Sequence, residues 1–75
     1  MKKIKDIKLQ FGDQVRTLRK ERGLSQEALA FESELDRTYV GAVERGERNI
    51  SLENINKLSK ALSISISELL RGIGE

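Results

Sequence analysis

Apolar residues at Ile4, Ile7, Phe11, Val15 and Leu18 recur at helical spacing with polar residues between them, which predicts an amphipathic first helix. That helix should close at Gly23. The cations Arg19, Lys20 and Arg22 precede it and complement a helix C-terminus, where a glycine supplies the positive φ of the closing residue. Downstream one device recurs three times: an apolar residue, a Ser or Asp, then a second apolar residue four positions past the cap. It reads Leu24, Ser25, Leu29, then Leu35, Asp36, Val40, then Ile50, Ser51, Ile55. Each is an N-cap inside a hydrophobic staple, and the three fix three further helix starts. A fifth, shorter start is placed at Ser67, ahead of Glu68, Leu69 and Leu70. In LSISISELL, Ile64 and Ile66 alternate with serines as a strand would. With helices on both sides and no second strand to pair with, a turn that directs two isoleucines into a core or an interface fits better. The pattern predicts an all-α chain of five helices.

Composition narrows the chemistry. The 75 residues leave room for one core and one domain, and they contain neither cysteine nor histidine. Disulfides and thiolate chemistry are thereby excluded, the commonest general base and metal ligand is missing, and a cytoplasmic location is expected. No cofactor or metal site is expected. No stretch approaches the ~20 apolar residues of a membrane span. The opening MKKIKDIK carries four lysines, but no apolar run follows it to form the rest of a signal peptide. A net charge of +2 is too small to announce nucleic acid by itself, so the placement of charge has to carry that argument.

The second helix is expected from about Ser25 to Ser33 and the third from Asp36 to Arg45, joined by a short turn at Glu34 and Leu35. Two short helices linked so tightly cross steeply, as in a helix-turn-helix. On the third, Val40 and Val43 fall on one side, while Arg37, Gly41 and Arg45 form an i, i+4, i+8 stripe on the other, with Thr38 and Ala42 beside it. A glycine inside a helix costs about 1 kcal/mol relative to alanine, so a surface approaching Gly41 and Ala42 closely would explain it. A DNA major groove is such a surface. Arg37, in the first turn, suits a bidentate contact to guanine, Thr38 can serve several base edges or a phosphate, and Tyr39 can pack its ring inside while its hydroxyl reaches outward. The competing reading is a solvated charged face with Tyr39 as half-buried core.

The string GLSQEALAFESELDRTYVGAVERG, residues 23–46, resembles the Xre and Cro-type helix-turn-helix regulators, the class of the lambdoid phage repressors. The likeness continues through RNISLENINKLSKALSISISELL. The combination LDRTYVGAVERGERNISL is most similar to controller proteins of restriction-modification systems; phage, plasmid and transposon repressors of the same family share such strings. The resemblance implies a lambda-repressor-like domain over residues 1–75, with the helix-turn-helix at about 25–45 and a dimerisation region at about 62–73. It implies that Gln26 touches a phosphate and buttresses the third helix, that Arg37, Thr38, Tyr39 and Ala42 read bases, and that Arg48 and Asn49 contact the DNA backbone. Arg45, further along the third helix, is expected on a phosphate. Arg19 and Glu44 match a buried ion pair between the first and third helices. Two departures are visible. Glu34 stands where the family usually has glycine, so a residue with a side chain would adopt αL there. Ala42 replaces a longer base-reading side chain, which shifts specificity onto Arg37, Thr38 and Tyr39.

Such a module contacts only a few base pairs, and its class reaches specificity through twofold dimers on palindromic operators. Ile64, Ile66, Leu69, Leu70 and Ile73 concentrate apolar residues near the C-terminus and are expected to form a homodimer interface; the alternative is that they close the core. Regulation would then come from occupancy and from contacts with RNA polymerase or a second bound dimer. A protein-interaction adaptor using the same face is one rival. An enzyme is the weaker one, because scattered carboxylates such as Glu44 and Glu47 assemble no nucleophile with a base.

Overall fold

The computed structural model describes residues 6–75; Ile4 and the first three lysines of the opening stretch lie outside the described residues. Asp6 caps the first helix, α1 (Ile7–Glu21), by accepting from the Lys8 backbone N–H at 2.8 Å. The helix closes as its sequence requires. Gly23 adopts φ +68°, its N–H donates to Lys20, and the Leu24 N–H reaches back to Arg19, which satisfies two carbonyls that the helix end leaves open.

The three N-caps all form. Ser25 caps α2 (Gln26–Ser33), Asp36 caps α3 (Arg37–Glu44) and Ser51 caps α4 (Leu52–Ala61), each with its side-chain oxygen on a backbone N–H of the first turn. The flanking residues Leu24, Leu35 and Ile50 lie partly buried against the core, and Leu29 and Val40 enter it. Capping and burial therefore select the same boundaries.

The last helix starts two residues earlier than the sequence reading placed it. α5 (Ile66–Leu69) is capped by Ser65, whose hydroxyl accepts from the Glu68 N–H at 3.0 Å. Ser65 and Glu68 stand in the S-x-x-E spacing of a capping box, and that spacing outranks Ser67, whose hydroxyl instead meets that of Ser65. Among the described residues there is no strand. Ile64 and Ile66 flank a cap.

Helix α3 is the centre of the packing: α1 and α2 both lie against it, α2 also packs on α4, and α5 closes on α4. Phe11, Val15, Leu29, Ala30, Val40, Val43, Leu58, Leu62 and Leu69 form the core. Leu69 was expected in a dimer interface, but it is 0 % exposed and belongs to this core, because α5 turns its one inward residue onto α4. Where α1 crosses α3, Gly12 brings the two backbones together, and a Cβ there would stand 2.4 Å from the Val43 carbonyl oxygen.

Among the described residues two turns place a residue with a side chain in the left-handed region, Glu34 after α2 and Ser63 after α4, both at φ 60°. Glu34 matches the strain expected from the missing glycine. The left-handed conformation costs an L-residue about 1–2 kcal/mol, while glycine adds unfolded-state entropy of about half that. Glu34→Gly is therefore expected to stabilise the fold by about 0.5–1 kcal/mol, read as a rise of several degrees in the thermal midpoint. A lowered midpoint would mean that the Glu34 side chain contributes more than its backbone costs.

Candidate nucleic-acid interface

The face around α3 is built on a buried ion pair. Arg19 of α1 donates from Nε to Glu44 Oε2 at 2.7 Å and from Nη2 to Oε1 at 3.0 Å, and its Nη1 donates to the Leu24 carbonyl at 2.9 Å. Their side chains are only 10 % and 2 % exposed. One guanidinium thus fixes the end of α3, α1 and the entry to α2. Burial pushes the Glu44 carboxyl up, but hydrogen bonds from Arg19 and Gln26, with the charges of Arg19 and Arg16, more than reverse this, and it ends below the ordinary carboxylate range. Arg19 is held above its ordinary value, chiefly by its hydrogen bond to Glu44 and despite its burial.

Gln26, first residue of α2, links this pair to the surface. Its amide donates to Glu44 Oε1 at 2.9 Å, and its carbonyl oxygen lies beside Gly41. Gln26 thus bridges the start of α2 to the end of α3. Gln26, Arg37, Thr38, Gly41 and Arg45 line one shallow depression, and Gln26 and Arg45 continue into a second lined by Arg16, Arg19, Lys20 and Glu44. With Glu44 paired to Arg19, the strip presents Arg16, Lys20 and Arg37 beside the Arg45–Glu47 pair.

Two positions depart from the expected face. Gly41 is buried, with the Arg45 Nη1 and the Gln26 Oε1 lying 3.2 and 3.6 Å from where its Cβ would stand. The glycine leaves room for these side chains of the protein itself. Ala42 is 7 % exposed, so its methyl faces the protein and offers no base-reading edge. The exposed reading positions reduce to Arg37 and Thr38, with Tyr39 half-buried beside them.

Tyr39 is held by a residue that the sequence did not single out. Its hydroxyl accepts from Asn54 Nδ2 at 3.1 Å, which leaves the phenolic proton free to donate outward. Arg48 stacks over the ring, 4.9 Å from its centroid. Asn49 follows in the same exposed loop. Arg45 forms a fork with Glu47, Nε to Oε2 at 3.0 Å and Nη2 to Oε1 at 3.2 Å. The hydrogen bond from Arg45 lowers the Glu47 carboxyl and the same bond raises Arg45. Glu47 was missed as a partner because residues two apart do not face each other on a helix; the turn at Gly46, φ +76°, brings them together. Among the described residues no cluster of carboxylates is arranged to hold a metal, and no helix is long and apolar enough to cross a membrane.

Two helices joined by a three-residue turn, the second exposing Arg37 and Thr38 on a face that Arg16 and Lys20 of α1 continue, define a helix-turn-helix protein, and a family model described as helix-turn-helix matches residues 15–69. The chain belongs to that family, one of transcription regulators and not of enzymes. It is 49 % identical over 69 residues to the control protein C.MunI of Mycoplasma sp, covering 91 % of this chain and 93 % of that protein. It is similar to the solved structure of the restriction-modification controller protein C.AhdI from Aeromonas hydrophila, at TM-score 0.81 and 60 % identity over 83 % of this chain and 94 % of that one. It is also similar to C.Esp1396I bound to a 19 base pair DNA duplex, at TM-score 0.82 and 30 % identity over 89 % of each chain.

Proposed function

We propose that this chain is a sequence-specific double-stranded DNA-binding regulator of transcription that acts as the controller of a restriction-modification system. The observation that carries the reading is the strip on α3: Arg37 and Thr38 exposed at its N-terminal end, Arg45 at the other, and Gln26 tethering α2 between them. The similar control proteins support it, one of them solved on a DNA duplex. In this reading Arg37 and Thr38 meet base edges, Tyr39 donates its hydroxyl proton to a base or phosphate, and Gln26, Arg45, Arg48 and Asn49 hold the backbone. The chain works in the cytoplasm as one unit, with the helix-turn-helix at residues 25–45.

The active species is a homodimer on a palindromic operator, joined through residues 62–73. With Leu69 in the core, the interface falls to Ile66 and Ile73, with Ile64 and Leu70 partly buried against that core behind them. Two dimers on adjacent sites, and contacts with RNA polymerase, would set whether occupancy activates or represses. Ile66→Asp is expected to give a folded monomer that binds a full operator at least about tenfold more weakly, since both half-sites must be held by one particle. Sedimentation of the wild type and the variant reads this directly. A wild type that is monomeric at micromolar concentration and binds a full site as one copy would contradict the dimer.

The function itself is tested by selecting bound duplexes from a random pool. The expected product is an enriched palindrome with half-sites about one helical turn apart. Retention of DNA without enrichment of any sequence would refute specific recognition.

A further inference from the structure

The turn after α3 carries Glu47 back over the helix it has just left. Gly46 takes φ +76°, and the Glu47 backbone N–H donates to the Ala42 carbonyl at 2.9 Å, so the carboxylate starts from a fixed point. Its fork engages Nε and Nη2 of Arg45. The third nitrogen, Nη1, is left over, and it lies across Gly41 in the depression shared with Gln26, Arg37 and Thr38. An alanine at position 41 would put a methyl 3.2 Å from that nitrogen, closer than most real contacts, and the guanidinium would have to move. The glycine therefore leaves room for this orientation, and the carboxylate holds it.

Resting on the DNA-binding reading of this face, we propose that Glu47 is a positioning residue which, in the space that Gly41 leaves open, biases the Arg45 guanidinium toward one orientation and so raises discrimination between operator and other DNA. A free arginine samples many rotamers and can grip a phosphate wherever one lies. A restrained one is already ordered for the phosphate that its free Nη1 reaches, and loses less freedom on binding there. Elsewhere it must break the Glu47 fork to follow the backbone, and the Glu47 carboxylate meets phosphate as a like charge. The first favours the right site modestly, and the second acts against the wrong ones.

The measurement is the ratio of Kd on an unrelated duplex to Kd on the selected operator, for the wild type, Glu47→Gln, Arg45→Ala and the double variant. Glu47→Gln is expected to bind unrelated duplex about five- to tenfold more tightly, while operator affinity changes by less than about threefold, so the ratio falls. Arg45→Ala should weaken the operator complex more than the unrelated one, so its ratio falls as well. In that background Glu47→Gln should shift both equally, because its effect on the ratio acts through Arg45. Gly41→Ala should keep or raise the melting temperature and still lower the ratio, which separates positioning from folding. A Glu47→Gln ratio equal to the wild type's would overturn the proposal and reduce Glu47 to a local charge. A wild type that prefers no sequence at all would overturn the DNA reading itself, a failure visible before any variant is compared.

Discussion

Glu44→Ala is expected to lower the unfolding free energy by about 3–5 kcal/mol, because it leaves the Arg19 guanidinium buried without its partner. At about 4–8 °C per kcal/mol for a domain of this size, the thermal midpoint should fall by more than about 12 °C. The loss extends beyond the pair, since Gln26 is also tethered to Glu44. Acid should do the same reversibly. The Glu44 carboxyl is more acidic in the folded protein than in the unfolded chain, so the folded state binds fewer protons there. Its stabilisation is complete above the unfolded carboxylate value of about 4.3 and is lost as pH falls through the lower folded value. Thermal melts across that window should show a decline that Glu44→Gln largely lacks. Unchanged melting of Glu44→Ala with selectively lost DNA binding would instead place Glu44 on the DNA surface.

Gly12→Ala should be the second most damaging single change. The added methyl would meet backbone, the Val43 and Glu44 carbonyl oxygens at 2.4 and 2.6 Å, and a backbone contact cannot rotate away as a side chain can. Alanine gains about 1 kcal/mol of helix propensity, but forcing α1 and α3 apart loosens Phe11 and Val15 against Val40 and Val43 and strains the Arg19–Glu44 fork. A net loss of about 2 kcal/mol or more is expected in denaturant unfolding. A variant as stable as the wild type would show that the α1–α3 crossing has slack the close approach does not suggest.

The sequence spoke clearly where one residue's local chemistry decides the outcome. Ser25, Asp36 and Ser51 each cap a backbone N–H within their own first turn, so spacing alone locates them, and Gly23 closes α1 by the same local logic. It spoke less clearly where a side chain's fate depends on a distant element. Leu69 and Ile66 look equivalent in ISISELL, and only the docking of α5 on α4 sends the first inward and leaves the second half-exposed. In the sequence, Gly41 suggests space for a foreign surface. The space is taken by Arg45 and Gln26, and no helical projection shows that, because Gln26 belongs to another helix and Arg45 bends back along its own. Asn54 carries no signal at all until α4 lies beside Tyr39. Ser65 was legible, since its capping box with Glu68 is a local pattern, and the strand-like alternation of the isoleucines obscured it.

We propose that α3 reads DNA bases from its N-terminal end. That reading is tested most directly by the affinity of the wild type, Arg37→Ala and Arg45→Ala on a panel of single-base operator variants at several salt concentrations. Arg37 is exposed at the first position of α3, the end that enters the major groove in this motif, whereas Arg45 lies about 12 Å further along at ~1.5 Å per residue. Arg37→Ala should lose about 1–3 kcal/mol on the preferred operator and relax base preference at one position per half-site. Arg45→Ala should weaken every sequence alike and reduce the salt slope by about one unit per arginine removed. If Arg37→Ala lowers all sequences equally while base preference survives intact, Arg37 is a phosphate clamp and this account of α3 is contradicted.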